Sequence, residues 1–344
     1  MIQPTTTSDR KKINDQLQVL SIAEGYFQSC MLFALLKLNI FERIGENSKN
    51  VKTLAAELEA QPDTLARLLN AGVMLKLLET EDGLNYRLAP VCRSVLLPSA
   101  GEEYLGNWLR LQNEFSMALT RLDQAVLKSG PTIPPDIYLG ADQAHTRESV
   151  LAMHNYAALR GKLLVHYIDT SACRTLLDLG CGAGTYAYLL GMHNPRLKLY
   201  LSDLPAILEV AKEVRQRYPF ENEVHFLPLD AAQDEIPGSY DLILASNMLH
   251  CFEARVRTKL LQRLHQAINP GGSLVVQAQF LQENRVGGRW AVYVDLQLLC
   301  TTQTGRNHTA EETKRWLHEA GFVNIEYCPM SVYGANRFVR GYKA

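Results

Sequence analysis

The segment Leu177–Gly184, which reads Leu-Asp-Leu-Gly-Cys-Gly-Ala-Gly, constrains the fold more than any other part of the chain. The residues Thr175–Leu179 have the composition of a buried strand, and those after Gly184 have that of a helix. Glycines between a strand and a helix let the backbone turn sharply and approach a ligand closely at the helix N-terminus. The segment therefore favours a ligand site, although a plain strand-to-helix turn would also use such glycines.

This loop does not fit a dinucleotide-binding fold, whose glycines follow the spacing Gly-x-Gly-x-x-Gly. The third glycine, Gly184, comes one residue early, and Thr185 stands in the expected place. Asp178, an acidic residue before the glycines, is also foreign to that pattern. The spacing therefore disfavours an oxidoreductase that uses a dinucleotide.

After Arg174, short apolar strands alternate with amphipathic helices. This alternation predicts an α/β fold with a Rossmann-like, doubly wound parallel sheet. The predicted strands are Thr175–Leu179, Lys198–Ser202, Val224–Leu227, Leu242–Ser246, Ser273–Ala278, Val323–Cys328 and Arg337–Lys343. The predicted helices include Leu204–Tyr218, Ala254–Ile268 and Thr309–Ala320, and Asn269–Gly272 predicts a turn before the fifth strand.

Polar residues recur at the carboxyl ends of these strands, which is where a doubly wound sheet binds its ligands. Asp203 follows the second strand and can accept both ribose hydroxyls of a nucleoside. Asp230 and Ala231 follow the third strand, where a carboxylate could meet an adenine amino group, and Ser246 ends the fourth. The order of these residues along one sheet predicts a nucleoside ligand.

The N-terminal part of the chain is predicted to be mainly helical. Apolar residues at helical spacing predict a helix over Leu17–Ile44, and further helices precede a turn at Glu81–Gly83 and a short strand. Helix, helix and hairpin in this order resemble a winged helix. Acidic side chains outnumber basic ones in residues 50–90, so the segment favours packing and dimerisation over DNA binding.

A chain of 344 residues is long enough for two or three domains. We predict a dimerisation domain over residues 1–100, connecting helices over 101–170 with a break at Pro131–Pro135, and a ligand-binding domain over 171–344. A net charge of −1 gives no reason to expect nucleic acid as a partner.

Three features predict a cytoplasmic protein without a membrane partner. The seven cysteines are scattered without a Cys-x-x-Cys pair, which fits reduced thiols better than disulfides or a zinc site. The polar segment Met1–Asp9 lacks the apolar core of a signal peptide. The longest apolar run, Cys30–Phe41, is too short to span a bilayer.

The order of these motifs resembles that of class I S-adenosylmethionine-dependent methyltransferases. More closely, it resembles the caffeic-acid and hydroxyindole O-methyltransferases, which carry an N-terminal winged-helix dimerisation domain. The resemblance extends from about residue 15 to the end of the chain and includes Leu204–Pro205, Gly305–Thr309 and Ala320–Phe322. It implies S-adenosylmethionine as cofactor, a small-molecule acceptor in secondary metabolism, and a homodimer.

The resemblance also implies roles for residues at matching positions. Cofactor contacts are expected at Asp178, Gly180, Gly182, Asp203, Leu204, Asp230, Ala231 and Ser246. Acceptor contacts are expected at Met153, Trp290, Asp295 and His308. His250 stands at the position of the family's catalytic histidine, and an unperturbed pKa of about 6.5 suits a general base that removes the acceptor's proton.

Three departures from the family pattern surround this base. The usual His-Asp-Trp reads His250–Phe252, with Cys and Phe in the last two places. The Glu that normally follows the fifth strand aligns with Ala278, and the usual Glu-Arg-Thr reads Asn307–Thr309, with His in the middle. Asp295 is a possible substitute for the missing carboxylate that orients the base.

These departures leave the acceptor open. His250 and His308 could hold a divalent metal that chelates an α-keto acid and stabilises its enolate, which would make the protein a C-methyltransferase. A regulator that senses the cofactor without turnover would keep the loop Gly180–Gly184 and lose the acceptor pocket. Aromatic and apolar residues near the predicted pocket mildly disfavour such a regulator.

Overall fold

The computed structural model describes residues 7–134, 142–329 and 337–344. The chain divides into two compact units, Met1–Arg110 and Leu111–Ala344. Residues 1–6 of the polar N-terminus and Pro135 of the predicted break lie outside the described residues. The domain boundaries predicted from the sequence stay predictions.

The first unit is mainly helical and carries a small antiparallel sheet. Its helices are α1 (Thr7–Ala23), α2 (Tyr26–Lys37), α3 (Ile40–Ile44), α4 (Val51–Glu57), α5 (Pro62–Met74) and α6 (Pro90–Val95), followed by a 3-10 helix at Pro98–Glu103. Its strands are β1 (Lys49–Asn50), β2 (Leu78–Glu79) and β3 (Asn85–Leu88), in the order β1-β3-β2. A further helix, α7 (Gly106–Leu119), begins in this unit.

Helix, helix and hairpin follow one another in α4, α5, β2 and β3 as the sequence predicts. Pro62 begins α5, where its missing N–H leaves no bond unmade. In the hairpin turn, Asp82 Oδ1 accepts hydrogen bonds from the backbone N–H groups of Leu84 and Asn85, each at 2.8 Å. Gly83 supplies the left-handed backbone that the turn requires, with φ 68°.

The single helix predicted over Leu17–Ile44 is wrong, because the backbone breaks twice. The first break is at Gly25, between α1 and α2. Asn39 makes the second, between α2 and α3, with a left-handed φ of 51°. Gly25 keeps right-handed helical angles, so the first break is a short turn, whereas Asn39 leaves the helical region, which asparagine does more easily than most residues. The apolar spacing continues across both and does not reveal them.

One stretch of the described residues, Arg10–Lys37, is long and apolar enough to cross a membrane by length and composition. It is longer than the apolar run Cys30–Phe41 noted in the sequence, and it includes the break at Gly25. Such a stretch is a weak sign of a membrane span, because the same composition also serves helices that pack against protein. The absence of a membrane partner therefore stays a prediction.

The second unit is built on a seven-stranded sheet. Its helices are α8 (Leu122–Lys128), α9 (Gln143–Leu164), α10 (Thr185–His193), α11 (Pro205–Arg215), α12 (Ala254–Gln266), α13 (Arg289–Thr301) and α14 (Ala310–Glu319). Its strands are β4 (Thr175–Leu179), β5 (Lys198–Asp203), β6 (Val224–Pro228), β7 (Tyr240–Ser246), β8 (Ile268–Ala278), β9 (Val323–Cys328) and β10 (Arg337–Tyr342).

The strand order is β6-β5-β4-β7-β8-β10-β9. Strand β10 pairs antiparallel with β8 and β9, and the other pairs are parallel. The chain winds outward from β4 in one direction and returns to its other side with β7. Ligands of doubly wound sheets bind at this switch point, at the carboxyl ends of the strands. The predicted fold class is confirmed.

Alternate residues of the central strands belong to cores on opposite faces of the sheet. Leu176 of β4 packs in the core that α9, α10 and α11 share. Leu177, the next residue, packs in the core that includes α12 and α14. Because both faces are covered, these strands are mostly apolar, which is why the sequence shows short apolar runs there.

Some predicted boundaries need correction. The turn predicted at Asn269–Gly272 lies inside β8, because the backbone there pairs with the end of the chain: Gly271 N–H donates to Lys343 O at 3.0 Å. The helix predicted over Ala254–Ile268 ends two residues early for the same reason, since Ile268 already belongs to β8. Helix α11 ends at Arg215, three residues before the predicted end.

Candidate functional site

The loop Gly180–Gly184 folds across the end of the neighbouring strand. The backbone N–H groups of Gly180 and Cys181 both donate to Ser202 O of β5, at 2.8 and 3.1 Å. The loop closes with a bond from Gly184 N–H to Cys181 O at 2.8 Å, and α10 begins at the next residue. These bonds place the loop at the carboxyl end of β4 and β5, as its sequence predicts.

Asp203, the last residue of β5, ties this loop to the sheet. Its Oδ2 accepts from Gly182 N–H and its Oδ1 from Leu204 N–H, each at 2.8 Å. Burial raises the pKa of this carboxyl, although the two backbone bonds oppose the shift. Each oxygen has a second lone pair, so the carboxylate can hold the loop and still accept a ligand hydroxyl.

Asp178 is buried, and neither of its carboxylate oxygens has a hydrogen-bond partner of good geometry, although the backbone N–H of Ala187 opposes the rise in its pKa. Burial, and then the charge of Asp203, raises its pKa to about 7. A buried carboxylate without partners is costly unless a cation or a donor satisfies it. The ammonium group of an amino-acid moiety has the charge and the donors that these two oxygens lack.

The loop after β6 brings Asp230 and Ala231 toward Asp203. Leu229 N–H donates to Asp203 O at 3.1 Å. Asp230 uses its carboxylate locally, with Oδ1 accepting from Ala232 N–H at 2.9 Å and Oδ2 from Gln233 Nε2 at 2.8 Å. The loop that carries Asp230 and Ala231 thus begins against Asp203, and the contact of these residues with a nucleoside stays a prediction.

Ser246 belongs to a polar chain that the sequence did not reveal. Its hydroxyl donates to Gln277 Oε1 on the neighbouring strand at 2.8 Å. Gln277 Nε2 in turn donates to Tyr186 Oη on α10 at 3.4 Å. These two contacts join residues 31 and 91 positions apart in the chain, so only the folded sheet reveals them.

His250 lies in the 3-10 turn Leu249–Cys251 that follows β7. Its side chain is buried, and its Nδ1 has no hydrogen-bond partner. Burial lowers its pKa to about 4, so the ring is neutral at physiological pH. A residue distant in sequence also holds this turn, since the backbone N–H of Arg306 donates to His250 O at 3.0 Å.

His308, in the segment before α14, is a second buried neutral histidine. Burial and then the neighbouring His250 lower its pKa to about 3. Its ring lies between the rings of Phe280 and Trp316, with centroids 5.5 and 4.9 Å away. Thr309 caps α14 through a reciprocal pair of bonds with Glu312, which fixes the end of the segment.

Asn307 occupies the position of a family glutamate, and the structure gives it a structural contact. Its Nδ2 donates to Gln279 O at 2.6 Å and to Ala291 O at 3.0 Å. Asp295 Oδ1 accepts from Asn307 N–H at 2.6 Å. Both residues therefore hold the segment that carries His308, and the role of Asp295 as substitute orienter stays a prediction.

Trp290, at the start of α13, donates from Nε1 to Tyr156 Oη on α9 at 3.1 Å. Gln279 Nε2 donates to the same hydroxyl at 2.6 Å. Met153 lies one helical turn before Tyr156 on α9, with 43% of its surface exposed. Of the expected acceptor residues, Trp290 is thus linked through Tyr156 to Gln279, which directly follows β8. Contact of Met153 and Trp290 with an acceptor stays a prediction.

The sheet order, the glycine loop and the carboxylates at the strand ends define a class I S-adenosylmethionine-dependent methyltransferase. The family model for the O-methyltransferase domain matches residues 133–323, and that for the O-methyltransferase dimerisation domain matches residues 20–98. The first match covers more than half of the chain, so the protein belongs to the O-methyltransferase family.

Similar proteins cover nearly the whole chain. The 3-hydroxy-5-methyl-1-naphthoate 3-O-methyltransferase of Streptomyces sahachiroi is 25% identical over 94% of both chains. The acetylserotonin O-methyltransferase of Macaca mulatta is 25% identical over 88% of this chain and 91% of its own. The structure of human N-acetylserotonin methyltransferase in complex with SAM shares the fold, with a TM-score of 0.84, 23% identity and full coverage of both chains.

The protein is therefore an S-adenosylmethionine-dependent methyltransferase (EC 2.1.1) of the O-methyltransferase family, which methylates small molecules in secondary metabolism. The buried Asp178 carboxylate is compatible with the ammonium group of this cofactor, and Asp203 can still accept a ligand hydroxyl. Their assignment to the methionine part and to the ribose stays a prediction. The alternative of a regulator without turnover is set aside, because the matched domain is that of an enzyme.

Proposed function

We propose that this enzyme methylates a hydroxyl group on an aromatic small molecule, with His250 as general base. The observation that carries the proposal is a buried histidine at the carboxyl end of β7, beside the strands whose ends are expected to bind the cofactor. Among similar proteins, those named above act on a hydroxynaphthoate and on acetylserotonin. Both are hydroxylated aromatic compounds.

The chemistry is divided between cofactor and protein. The cofactor, when bound, supplies a methyl group on a positively charged sulfur, which leaves as a neutral thioether. The protein aligns the acceptor oxygen and takes its proton on Nε2 of His250, as the oxygen–carbon bond forms. A base with a pKa of about 4 is weak, so it works best on a hydroxyl that conjugation has made acidic, as in a phenol.

A matched acceptor panel tests this proposal. We expect O-methylated product, detected by mass spectrometry with labelled cofactor, from 3-hydroxy-1-naphthoate or N-acetylserotonin. We expect none from 2-phenylethanol, whose hydroxyl is not acidic. Methylation of carbon or nitrogen, or of the aliphatic alcohol in preference to the phenols, would contradict the proposal.

A second candidate keeps the same cofactor but transfers the methyl group to carbon. Three ring nitrogens, Nδ1 of His250 and both nitrogens of His308, are buried without partners and could bind a metal that chelates an α-keto acid. The described residues contain no group of three or more His, Cys, Asp or Glu that could complete the site. Methylation of phenylpyruvate that EDTA abolishes and added Fe²⁺ restores would favour this candidate.

Replacement of Asp203 by alanine should lower the affinity for S-adenosylmethionine about 10-fold or more, since a charge-assisted bond contributes about 1.5–3 kcal/mol. Titration calorimetry measures the effect. Asp241 is a matched control, because it also holds two backbone N–H groups, those of Arg174 and Thr175, but at the amino end of β4. Asp241→Ala should cost stability without changing cofactor affinity. Equal affinity in a folded Asp203→Ala protein would place the ribose elsewhere.

We also propose that the enzyme is a cytoplasmic homodimer that assembles through the N-terminal unit. Apolar side chains of α1 and α2 are between 45% and 75% exposed in the single chain: Ile13, Leu17, Val19, Leu20, Ile22, Tyr26 and Phe27. Large exposed apolar patches mark interfaces. The dimerisation-domain match covers most of these residues. All seven cysteines are free, as a reducing compartment requires.

The dimer is tested by sedimentation. The double variant Leu17→Asp, Ile22→Asp places charges in the exposed apolar face and should shift the protein from dimer toward monomer or aggregate. Leu127→Asp is the control, since that side chain is 84% exposed on α8 in the other unit and should leave the assembly unchanged. A wild-type protein that sediments as a monomer would refute the homodimer.

A further inference from the structure

The acceptor side of the site contains buried histidine nitrogens that no contact satisfies. They are Nδ1 of His250 and both ring nitrogens of His308. A neutral imidazole presents one donor and one acceptor, and buried polar groups nearly always have a partner. Two neighbouring rings that both lack partners therefore indicate a bond that forms only in the working enzyme.

The backbone brings these two rings together. Arg306 N–H donates to His250 O at 3.0 Å, so the segment that carries His308 begins against the turn that carries His250. After burial, His250 is the largest influence that lowers the pKa of His308.

The surroundings of His308 hold its ring in one place. Phe280 and Trp316 enclose it. Trp316 is itself covered by Arg257, whose guanidinium carbon lies 3.7 Å from the centroid of the Trp316 ring. The same arginine donates to Phe252 O at 3.1 Å, two residues after His250. An imidazole fixed in this way can determine the orientation of a neighbour.

No carboxylate takes that role among the described residues. Asp295 accepts from the backbone of Asn307, whose own amide bridges Gln279 and Ala291. A catalytic histidine needs an acceptor at Nδ1–H, because that bond selects the tautomer in which Nε2 carries the lone pair. His308 is a buried acceptor on the segment that bonds to the turn of His250.

We propose that His308 is the positioning residue for His250: in the loaded enzyme, one of its ring nitrogens accepts a hydrogen bond from His250 Nδ1–H. Nε2 of His250 then faces the acceptor with its lone pair. The structure does not contain this hydrogen bond between the two rings, and catalytic hydrogen bonds often tighten only when substrate binds. This inference rests on the proposed role of His250 as general base.

The tautomer of His250 is the decisive measurement. Nitrogen-15 NMR of the full-length enzyme with S-adenosylhomocysteine and 3-hydroxy-1-naphthoate should show His250 protonated at Nδ1, with the signal assigned by its loss in His250→Ala. This measurement needs no turnover, so it remains valid if the acceptor proposal fails. Protonation of His250 at Nε2 in the wild-type complex would overturn the inference.

Two substitutions at His308 separate positioning from packing. His308→Leu fills the aromatic cage without an acceptor and should lower kcat on the order of 100-fold or more, with little change in KM or cofactor affinity. His308→Gln keeps an acceptor and should recover most of the activity and the Nδ1–H tautomer. His265→Leu is the control, because His265 also packs against an aromatic ring, that of Phe322 at 4.9 Å.

Three results would overturn the proposal. His308→Leu could keep wild-type kcat, or His308→Gln could be as impaired as His308→Leu while both stay folded. EDTA could also abolish activity in the wild type and added metal restore it, which would make both histidines metal ligands. A wild type that methylates none of the panel compounds would refute the proposed acceptor class alone, since the tautomer still tests His308.

Discussion

Replacement of His250 by alanine should lower turnover about 10²–10⁴-fold and leave the affinity for S-adenosylmethionine nearly unchanged. The loop and Asp203, which are expected to hold the cofactor, make their contacts without the His250 ring. The loss should therefore appear in kcat, measured by S-adenosylhomocysteine formation, while calorimetry reports wild-type cofactor binding. His318→Ala is the control, since His318 is exposed at the end of α14.

The pH dependence of the same reaction gives a second test of the base. His250 acts in its neutral form, and burial lowers its pKa to about 4, so the base is fully available above about pH 5. We therefore expect the kcat of the wild type to show no fall between pH 8 and pH 6 that can be assigned to His250, that is, none that disappears in His250→Ala. A base with the ordinary histidine pKa of about 6.5 would lose activity across that interval. A His250→Ala enzyme with wild-type turnover would refute both the base and the metal-ligand hypotheses.

The cofactor side of the site was predictable because its features are local in sequence. The glycines of Leu177–Gly184 lie within one strand-to-helix turn, and Asp203 directly ends the next strand. Periodicity also gave the alternation of strands and helices, since both faces of the sheet are buried. The fold class could therefore be predicted without any distant contact.

The acceptor side was less predictable because its contacts are distant in sequence. Trp290 and Gln279 donate to Tyr156 across more than 120 residues, and neither bond has a sequence signature. In the sequence, Asn307 is only a residue that replaces an expected carboxylate. In the structure, its amide joins the end of β8 to α13. The low pKa of His250 also follows from burial, which one residue's position in a motif does not reveal.

The predicted helix and strand boundaries were wrong at turn-forming residues whose conformation depends on the rest of the fold. The apolar pattern of Leu17–Ile44 continues through the turn at Gly25 and through Asn39, where the backbone becomes left-handed. The Pro-Gly-Gly of Asn269–Gly272 has turn composition, but pairing with Lys343 extends β8 through it. Composition sets local preferences, and the pairing of distant strands decides between them.

Replacement of Gly184 by alanine should destabilise the second unit far more than the same change at Gly182. Both glycines have a left-handed backbone, with φ 76° and 55°, which costs an alanine about 1–2 kcal/mol. A Cβ at Gly182 meets no atom within 4 Å, whereas one at Gly184 lies 2.7 Å from Tyr188 Cζ and clashes with Leu201 Cδ2. Overpacking of this kind adds about 1–3 kcal/mol.

The neighbours of Gly184 cannot yield easily. Tyr188 is fully buried, its hydroxyl donates to Ala211 O at 2.7 Å, and its ring packs against Tyr218 with centroids 5.2 Å apart. Leu201 is fully buried in β5. An alanine must therefore push the loop outward, which also displaces the N–H groups that Ser202 and Asp203 hold.

Thermal unfolding and calorimetry together distinguish the two glycines. Gly184→Ala should lower the free energy of unfolding by about 2–5 kcal/mol, which corresponds to roughly 5–15 °C in Tm, and should weaken cofactor binding as well. Gly182→Ala should lose only about 1–2 kcal/mol, because its cost is backbone strain alone. Equal Tm values for the two variants would show that the contact of Gly184 with Tyr188 and Leu201 does not limit the loop, since strain is common to both and only the clash differs.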